Sequence, residues 1–418
     1  MVPRFGVRAG IDYRTRKARP FESGFEHSDH EVFLVDTTLR DGEQNVGVVF
    51  AGQEKVRIAR LLSEIGVHEI EAGTPALCVE EREAISDIAG LGLRSRILAM
   101  CRPMPVDIDL AADCGVNAVV VWVSTSGIGS PSGAKPLDEN LARIEETAER
   151  AKDHGLPLIF AAEDASRTRM DHLLRYAVFA QEIGAERFRF CDTLSVLEPF
   201  TAFQRIQVVL EAIDLDVEIN CHNDFGMATA NCLAGIRAGA RYVTVAVNGL
   251  GERTGNPALE EVVMALKYLD GIDLDVATSR FRELSEYVAR ACGGVLPIWK
   301  AIVGENVFAH ESGIHADGVI KNPLTYEVFT PEEVGLTRQL VVGKHSGSRT
   351  IQYKYKEFGI DLSDKTATEV LNKARQMAVE LKRALFDKEL MYVYQDFMRD
   401  KSRQEASAEA DGCTDEDV

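Results

Sequence analysis

A cluster of charged and amide side chains follows a short apolar run, and its residue types could support chemistry. The run Val32 to Val35 has the apolar character of a buried parallel strand. Polar residues then crowd into nine positions that include Arg40 and Asp41 and extend from Asp36 to Gln44. Carboxylates and a guanidinium at this spacing could hold a divalent cation beside an anionic substrate. A charged loop that faces water explains the same residues equally well, because loops carry both surface charge and function.

The elements that would position this cluster repeat along residues 32–249. Short β-branched runs alternate with amphipathic helical stretches, which is typical of repeated βα units. Eight units in about 240 residues match a barrel, and no GxGxxG sequence follows the first strand to favour an open doubly wound sheet. The predicted strands are 32–38, 68–73, 95–100, 118–124, 157–164, 187–193, 217–224 and 242–249. We therefore predict the α/β class, with a (β/α)8 TIM barrel over residues 31–271.

Polar side chains recur where the predicted strands end, which is where active sites of this fold lie. Turn chemistry could explain one or two of them, but not a coincidence at seven strands. The strand-end residues are Arg40, Asp41, Glu71, Ser124, Thr125, Ser126, Glu163, Asp164, Asp192, Thr193, His222, Asn223, Asp224 and Asn248.

Composition limits the partners of this chain. Its 418 residues are 45% hydrophobic, which suffices for a large core, and its net charge of −19 argues against nucleic acid or an anionic membrane surface as the main partner. No apolar run is long enough to span a bilayer or to form a signal peptide. The eight cysteines contain no CxxC pair, so neither a zinc knuckle nor a disulfide framework is indicated. We expect a soluble, cytoplasmic protein.

The regions outside the barrel are less informative. We predict an irregular N-terminal arm over 1–30, an α-rich linker and subdomain over 272–400, and an acidic, disordered tail over 401–418. Within the subdomain, helices are predicted at 281–291, 367–385 and 389–398.

The seventh predicted strand offers a partner for the first cluster. Asn220 and His222 point the same way because side chains on a strand alternate with a period of two. In a closed barrel, strands one and seven are separated by a single strand, so a metal ion shared by Asp41 and His222 is geometrically allowed. A hydrogen-bonded core histidine is the commoner explanation of a lone His, but the neighbouring Asn223 and Asp224 favour the metal site.

Five motifs, in their order and spacing, resemble the α-isopropylmalate synthase and homocitrate synthase family over about residues 32–350. The resemblance is strongest to the homocitrate synthases of the nitrogen-fixation type, whose relatives include the Re-face citrate synthases. The long regulatory domain of leucine-regulated isopropylmalate synthases is expected to have no counterpart. The motifs are Asp36-Thr-Thr-Leu-Arg-Asp-Gly-Glu-Gln44, Ala162-Glu-Asp-Ala-Ser-Arg167, Cys221-His-Asn-Asp-Phe-Gly226, Val247-Asn-Gly-Leu-Gly-Glu-Arg-Thr-Gly-Asn256 and Ser312-Gly-Ile-His-Ala-Asp317.

This resemblance implies an acyltransferase that condenses acetyl-CoA with a 2-oxo acid in a Claisen reaction and then hydrolyses the thioester. A divalent metal would polarise the carbonyl of the 2-oxo acid. The implied base lies outside the barrel, so the family also implies a homodimer in which the partner subunit completes each site. The implied metal ligands are Asp41, His222, Asn220 and Asn256; the substrate-binding residues are Arg40, Gln44, Glu71 and Thr193; and the catalytic residues are the base His315 with Glu163, Tyr326 and Arg40.

Departures from the family pattern bear on the metal and the substrate. Asn220 replaces the first histidine of the usual His-x-His pair, and an amide oxygen shifts the metal preference away from zinc towards manganese or magnesium, with zinc and cobalt as the alternatives. Ser195 replaces a usual glycine, and residues 121–126 lack the usual pattern after strand four. The predicted acceptor is 2-oxoglutarate, which gives homocitrate. Oxaloacetate, which gives citrate, is the alternative, because one methylene is worth only about 1–3 kcal/mol in a pocket.

Other functions remain open at this point. An isopropylmalate or citramalate synthase, or an inactive metal-binding homologue, would share most of these motifs. A lyase of the hydroxymethylglutaryl-CoA type would carry a reactive cysteine in the loop at 249–256, where this sequence has none. The segment Lys344-His345-Ser346 is either a cationic turn or an acyl-CoA contact, and we assign it no role in the site.

Overall fold

The computed structural model describes residues 31–126 and 137–411. The predicted N-terminal arm and residues 412–418 lie outside the described residues. The chain divides into two compact units. The barrel unit continues to residue 296 and includes 301–303, and the C-terminal unit comprises 297–300 and the residues from 304 onward. The barrel unit therefore extends beyond residue 271, where the barrel was predicted to end.

Eight parallel strands form the closed barrel that the sequence predicts. The last strand closes it through parallel pairing with the first, in a register that places Leu34 opposite Val243. All eight predicted strands are present, with bounds within a few residues of those expected. They are β1 (Phe33–Asp36), β2 (Glu69–Gly73), β3 (Arg96–Cys101), β4 (Ala118–Ser124), β5 (Leu158–Glu163), β6 (Arg187–Asp192), β7 (Asp216–Cys221) and β8 (Tyr242–Val245).

Helices α1 to α9 belong to the same unit, and the first shows how the sequence builds them. Helix α1 buries Ile58, Leu62 and Ile65, which are spaced three and four residues apart on one face. At its start, the Glu54 carboxylate accepts a hydrogen bond from the backbone N–H of Ala51, and at its end Gly66 adopts φ +102°. The nine helices are α1 (Gly52–Ile65), α2 (Val79–Ala89), α3 (Pro105–Asp113), α4 (Leu137–Asp153), α5 (Met170–Glu182), α6 (Pro199–Leu210), α7 (Ala228–Ala238), α8 (Leu259–Ala265) and α9 (Phe281–Ala291).

The interior of the barrel is apolar on one side and charged on the other. The apolar side is a cluster centred on β3, β4 and β5 that includes Leu98, Val120 and Ile159. The charged side is formed by alternate residues of β2, β6 and β7, and every one of their side chains is buried. These charged residues, which we call the interior ladder, are Glu69, Glu71, Arg187, Arg189 and Glu218.

Ion pairs connect the interior ladder from strand to strand. Arg187 Nη2 lies 2.5 Å from Glu69 Oε2, and Arg187 Nε lies 2.7 Å from Glu218 Oε2. Arg189 Nε lies 2.7 Å from the other oxygen of Glu218, and Arg189 also pairs with Glu71. Burial raises the pKa of Glu71, but the adjacent guanidinium groups outweigh burial and lower the pKa to about 2. Each ladder carboxylate therefore lies against at least one guanidinium group, which compensates its charge in the interior.

The C-terminal unit is mainly helical, as predicted. Its hydrophobic core packs three helices together around Tyr355, whose hydroxyl donates to the carbonyl of Leu390 at 2.6 Å. A short parallel pair, β9 (Ala309–His310) with β10 (Gln339–Leu340), lies in the same unit. The helices of this unit are α10 (Gly313–Lys321), α11 (Ser348–Glu357), α12 (Asp364–Leu381) and α13 (Asp387–Asp411).

One detail of the C-terminal unit differs from the sequence prediction. Helix α13 continues to Asp411, so residues 401–411 are helical and not disordered as predicted. Acidic composition suggested disorder, but this segment extends a helix already anchored by Leu390, Val393 and Phe397 in the core.

Among the helices of the described residues, none has both the length and the apolar character needed to cross a membrane.

Candidate active site

The loop after β1 places two charged side chains at the mouth of the barrel. It folds back on itself because the N–H groups of Arg40 and Asp41 both donate to the carbonyl of Thr37, at 3.1 and 2.9 Å. Arg40 Nε donates to Glu71 Oε2 at 2.8 Å, and Arg40 Nη1 donates to Asp41 Oδ1 at 2.9 Å. Arg40 is therefore the link between the interior ladder and the mouth.

Asp41 lies at the centre of a cluster drawn from three strand-end loops. Its Oδ2 atom is 3.5 Å from His222 Nε2, beyond the end of β7, and accepts a hydrogen bond from Asn256 Nδ2, in the loop after β8. Burial raises the pKa of Asp41, but the positive charge of Arg40 and the contacts with His222 and Asn256 outweigh burial and hold the pKa well below its usual range. The predicted pairing of Asp41 with His222 across the barrel is thus present.

The donor atoms around Asp41 fit a divalent cation. Both ring nitrogens of His222 and the Oδ1 atom of Asn256 are buried and have no hydrogen-bond partner among the described residues. Buried polar atoms without partners are costly, and a bound cation is one of the ways in which that cost is removed. Within the described part of the chain, no group of three His, Cys, Asp or Glu side chains is arranged to hold a metal ion. The set here contains only two such residues, and amides would have to supply the others.

Gly251 borders this cluster, and Asn220 of β7 precedes His222. Asn220 is buried on β7 two residues before His222, on the face that carries Glu218 of the interior ladder. A Cβ atom on Gly251 would lie 2.1 Å from Asn256 Nδ2 and 2.7 Å from Asp41 Oδ2. The loop after β8 therefore reaches Asp41 only because residue 251 has no side chain.

The remaining predicted residues of the barrel unit differ in their access to the mouth. Glu163 ends β5 and is partly exposed; burial, and next the negative charge of Asp164, raise its pKa. Thr193 follows β6, and its hydroxyl accepts from the N–H of Asp164 at 2.9 Å. Gln44 is exposed in the loop after β1. Glu71 is fully buried on β2, and its Oε2 atom accepts the hydrogen bond from Arg40 Nε.

Hydrogen bonds between loops keep the ends of β6, β7 and β8 together. Arg253 donates to both carboxylate oxygens of Asp224, at 2.9 and 3.0 Å, and to the carbonyl of Thr193 at 2.6 Å. Ser195 donates through its hydroxyl to the carbonyl of His222, and the same hydroxyl accepts from the N–H of Asp224 at 3.0 Å. Ser195 has φ +55°, a left-handed backbone conformation that favours glycine. The side-chain hydrogen bonds offset the backbone strain.

An ion triad around the buried Lys55 was not predicted. Lys55 of α1 lies 2.7 Å from Glu43 Oε2 and 2.6 Å from Glu81 Oε2. Glu43 also accepts from the N–H of Phe50, and Glu81 accepts from the N–H of Thr74, which follows β2. The triad thus ties the loop after β1, which carries Arg40, to the loop that follows β2. The helical pattern of the sequence does not mark Lys55 as buried. Glu43 of the first motif had no role assigned from the sequence, which was an indication of a further contact there.

His315 and Tyr326 lie in the C-terminal unit. His315 is an exposed residue in the first turn of α10, and its ring centroid is 4.4 Å from that of Tyr326. The two predicted proton-transfer groups of this unit are therefore in contact with each other.

Comparison with known proteins assigns the chain to a family. The HMGL-like family model matches residues 31–288, and the model described as homocitrate synthase post-HMGL domain-like matches residues 302–382. The 2-isopropylmalate synthase 2 of Caldanaerobacter subterraneus subsp. tengcongensis is 53% identical over 369 residues, which cover 88% of this chain and 96% of that protein. The homocitrate synthase 1 of Nostoc sp. is 49% identical over 365 residues, covering 87% and 96%.

Solved structures agree on the fold. The HMG-CoA lyase of Brucella melitensis aligns with a TM-score of 0.58 at 20% identity, covering 63% of this chain and 99% of that one.

The chain belongs to the α-isopropylmalate synthase and homocitrate synthase family, whose members are acyltransferases that condense acetyl-CoA with an acceptor and use a divalent metal.

Asp36 gives a prediction for pH dependence. Its fully buried carboxylate accepts hydrogen bonds from the N–H and hydroxyl of Thr38, at 2.9 and 3.0 Å. Burial raises the pKa of Asp36 from 3.8 to about 7, despite these hydrogen bonds. The folded protein then holds a proton that the unfolded chain releases near pH 4. The stability that this proton provides is therefore present below about pH 4 and is lost as the pH rises towards 7.

Urea unfolding between pH 4 and pH 8 measures the effect. Relative to Asp36→Asn, the free energy of unfolding of the wild-type protein should fall by up to about 1.4 kcal/mol per pH unit in this window. The control is Asp153→Asn, at a side chain that is 72% exposed, and its curve should run parallel to that of the wild type. Parallel curves for wild type and Asp36→Asn would show that Asp36 does not hold a proton.

Proposed function

We propose that this enzyme condenses acetyl-CoA with a dicarboxylic 2-oxo acid, with 2-oxoglutarate as the first candidate and homocitrate as the product. The observation that carries the proposal is the cluster of Asp41, His222 and Asn256, whose unpartnered donor atoms lie beside the guanidinium of Arg40. Such a cluster suits a chelating 2-oxo acid, because the cation and the guanidinium can neutralise its carboxylate together.

The residues of the barrel unit would bind and activate the acceptor. Asp41, His222 and Asn256, with Asn220 next to them, would hold a divalent cation, which would supply Lewis acidity towards the keto oxygen of the 2-oxo acid. Arg40, held by Glu71, would pair with the substrate carboxylate, and Gln44 and Thr193 would orient the substrate. The polar character of the mouth supports an acceptor with a second carboxylate more than one with a branched alkyl group.

Proton transfers would fall to His315, Tyr326 and Glu163. His315 removes a proton from the acetyl methyl group, and the resulting carbon nucleophile attacks the keto carbon of the 2-oxo acid. The former keto oxygen takes up a proton to become the tertiary hydroxyl. Glu163, whose pKa is raised by burial, is suited to carry that proton, and water then cleaves the thioester to release CoA.

The base must reach a barrel mouth, and we propose that the partner subunit of a homodimer supplies it. His315 belongs to the C-terminal unit, where large apolar side chains such as Ile314 and Trp299 are each 77% exposed. Exposed apolar side chains of this size support an interaction surface. We further propose a cytoplasmic enzyme, since the buried cysteines of the described chain are all free thiols.

Two other acceptors compete. The 53% identical relative is named a 2-isopropylmalate synthase, which favours 2-oxoisovalerate as a second candidate. Oxaloacetate differs from 2-oxoglutarate by one methylene, and a pocket separates the two by only about 10–200-fold.

A thiol-release assay tests the reaction and the acceptor together. Acetyl-CoA is supplied with 2-oxoglutarate, oxaloacetate, 2-oxoisovalerate or pyruvate, and we expect the highest kcat/KM with 2-oxoglutarate. His315→Ala should lower kcat by about 100-fold or more because it removes the base, whereas His154→Ala, at a surface histidine paired with Asp109, should not. Turnover of 2-oxoisovalerate or pyruvate alone would refute the dicarboxylate assignment, and oxaloacetate turnover alone would replace 2-oxoglutarate.

The metal is tested by reactivation of chelator-treated protein. Because Asn220 offers an amide oxygen and not an imidazole nitrogen, manganese or magnesium should restore the wild-type protein best. Asn220→His should shift the preference towards zinc, and calorimetric titration with each metal should show the same shift without any turnover. Strongest reactivation of the wild type by zinc would contradict this expectation.

Mixed dimers test the composite site. Asp41→Ala and His315→Ala are each expected to be inactive, but subunit exchange between them should restore up to about one quarter of the wild-type activity, because half of the sites in a mixed dimer are intact. The matched control mixes Asp41→Ala with His222→Ala, which damages both barrels and should restore nothing. Absence of recovery in mixed dimers verified by native mass spectrometry would exclude a base supplied by the partner.

A further inference from the structure

We propose that residues 343–347, the 343–347 turn, are a positioning element for His315 and Tyr326, with Ser346 as its central residue. The inference rests on the proposed function, in which His315 is the base. Gly343-Lys-His-Ser-Gly347 is the one motif singled out in the sequence that the proposed chemistry leaves unused. Its contacts in the C-terminal unit connect it to the segment that begins α10.

Three hydrogen bonds join the turn to the residues just before His315. The N–H of Gly313 donates to the carbonyl of His345 at 3.1 Å, and the N–H of His345 donates to Glu311 Oε1 at 3.0 Å. Ser346 Oγ donates to the carbonyl of Glu311 at 3.1 Å. The entry to α10 is therefore fixed at Glu311 and Gly313, which lie four and two residues before the proposed base.

Ser346 holds the turn itself in shape. The residue is fully buried, and its hydroxyl accepts from the N–H of Gly343 at 2.9 Å. The same hydroxyl oxygen lies 3.2 Å from the carbonyl of Val341, next to the contact with Glu311. Loss of this hydroxyl would leave the N–H and the carbonyl groups unsatisfied in a buried position, which is costly.

Two glycines permit the close approach of the turn to α10. A Cβ atom on Gly313 would lie 2.8 Å from the N atom and 2.9 Å from the Cα atom of Gly347. Both contacts are with backbone atoms, which cannot move aside as a flexible side chain can. The two segments therefore meet backbone to backbone, and this contact leaves α10 little freedom to shift.

The 343–347 turn is also anchored to the core of the C-terminal unit. Arg375 of α12 donates through Nη2 to the carbonyl of Ser346 at 2.5 Å. The side chains of Lys344 and His345, in contrast, point to solvent as exposed residues. The backbone and Ser346, and not the cationic side chains, account for the contacts of this motif.

Tyr326 is held against the same helix. A Cβ atom on Gly318 of α10 would lie 2.6 Å from Cε2 of Tyr326, so the ring packs where a side chain is missing. The adjacent Glu327 is fixed by two hydrogen bonds from Arg338, at 2.7 and 2.6 Å. With the turn fixing α10 and Glu327 fixing the neighbouring segment, the contact between His315 and Tyr326 is set from both sides.

The test compares two serine variants of the full-length protein. Ser346→Ala removes the central hydroxyl of the turn. Ser363→Ala removes a hydroxyl that accepts from the N–H of Thr366 at the start of α12, so it weakens the same unit without touching α10. Hydrogen-exchange mass spectrometry of peptides within 313–321 is measured with kcat and with the KM for the 2-oxo acid.

Ser346→Ala should speed exchange in α10 and lower kcat by about 10- to 100-fold, as expected when a catalytic group is displaced by about 1 Å, with KM for the 2-oxo acid within about twofold of wild type. Ser363→Ala should change neither readout. Unchanged exchange in α10 of Ser346→Ala, or equal effects in the two variants, would overturn the inference. Absence of thiol release by the wild-type protein would refute the proposed function alone, because the exchange difference still decides whether the turn positions α10.

Discussion

The buried ion pairs of the interior ladder are the interaction on which the active-site end of the barrel depends. Arg187 and Arg189 share the two oxygens of Glu218, and Arg189 continues to Glu71, which in turn holds Arg40. Removal of any one partner would leave an uncompensated charge in the interior, which costs about 3–5 kcal/mol. The ladder is therefore a constraint on geometry more than a source of stability, since an apolar interior of equal volume would be as stable. What it provides is a fixed direction for the guanidinium of Arg40.

The division of the interior into a charged side and an apolar side follows from this constraint. Strands β3, β4 and β5 fill their side of the barrel with apolar residues such as Leu98, Val120 and Ile159, as in an ordinary barrel. The charged side is formed by β2, β6 and β7; His222 directly follows β7, and Arg40 and Asp41 follow β1, which pairs with β2. Polar groups at the mouth are thus held by a polar layer below them, and strained backbone at Ser195 and Arg253, with φ of +55° and +57°, is confined to the loops above.

The sequence predicted the eight strands because each is a short apolar run bounded by turn residues. Continuous apolar runs of this length are typical of parallel strands that are buried on both faces. It also brought Asp41 and His222 together, because closure of the barrel fixes which strand ends are near each other. The interior ladder escaped prediction although charges two residues apart occur in predicted strands, as in Arg187 and Arg189. A period-two charge pattern normally indicates a face in water, and only closure of the sheet reverses that meaning. Contacts such as Lys55 with Glu43 depend on tertiary packing and leave no local pattern.

The charge along the ladder also bears on the metal. From Glu69 at one end to Asp41 at the other, four carboxylates alternate with the three guanidinium groups of Arg187, Arg189 and Arg40. Each guanidinium lies between two carboxylates. At the Glu69 end, Arg96 lies 2.7 Å from Glu69 and 2.9 Å from Glu186, so the two carboxylates share it. At the other end, Asp41 Oδ1 pairs with Arg40, and Oδ2 faces the amide of Asn256 and the ring of His222, so this negative charge lies where the unpartnered donor atoms converge.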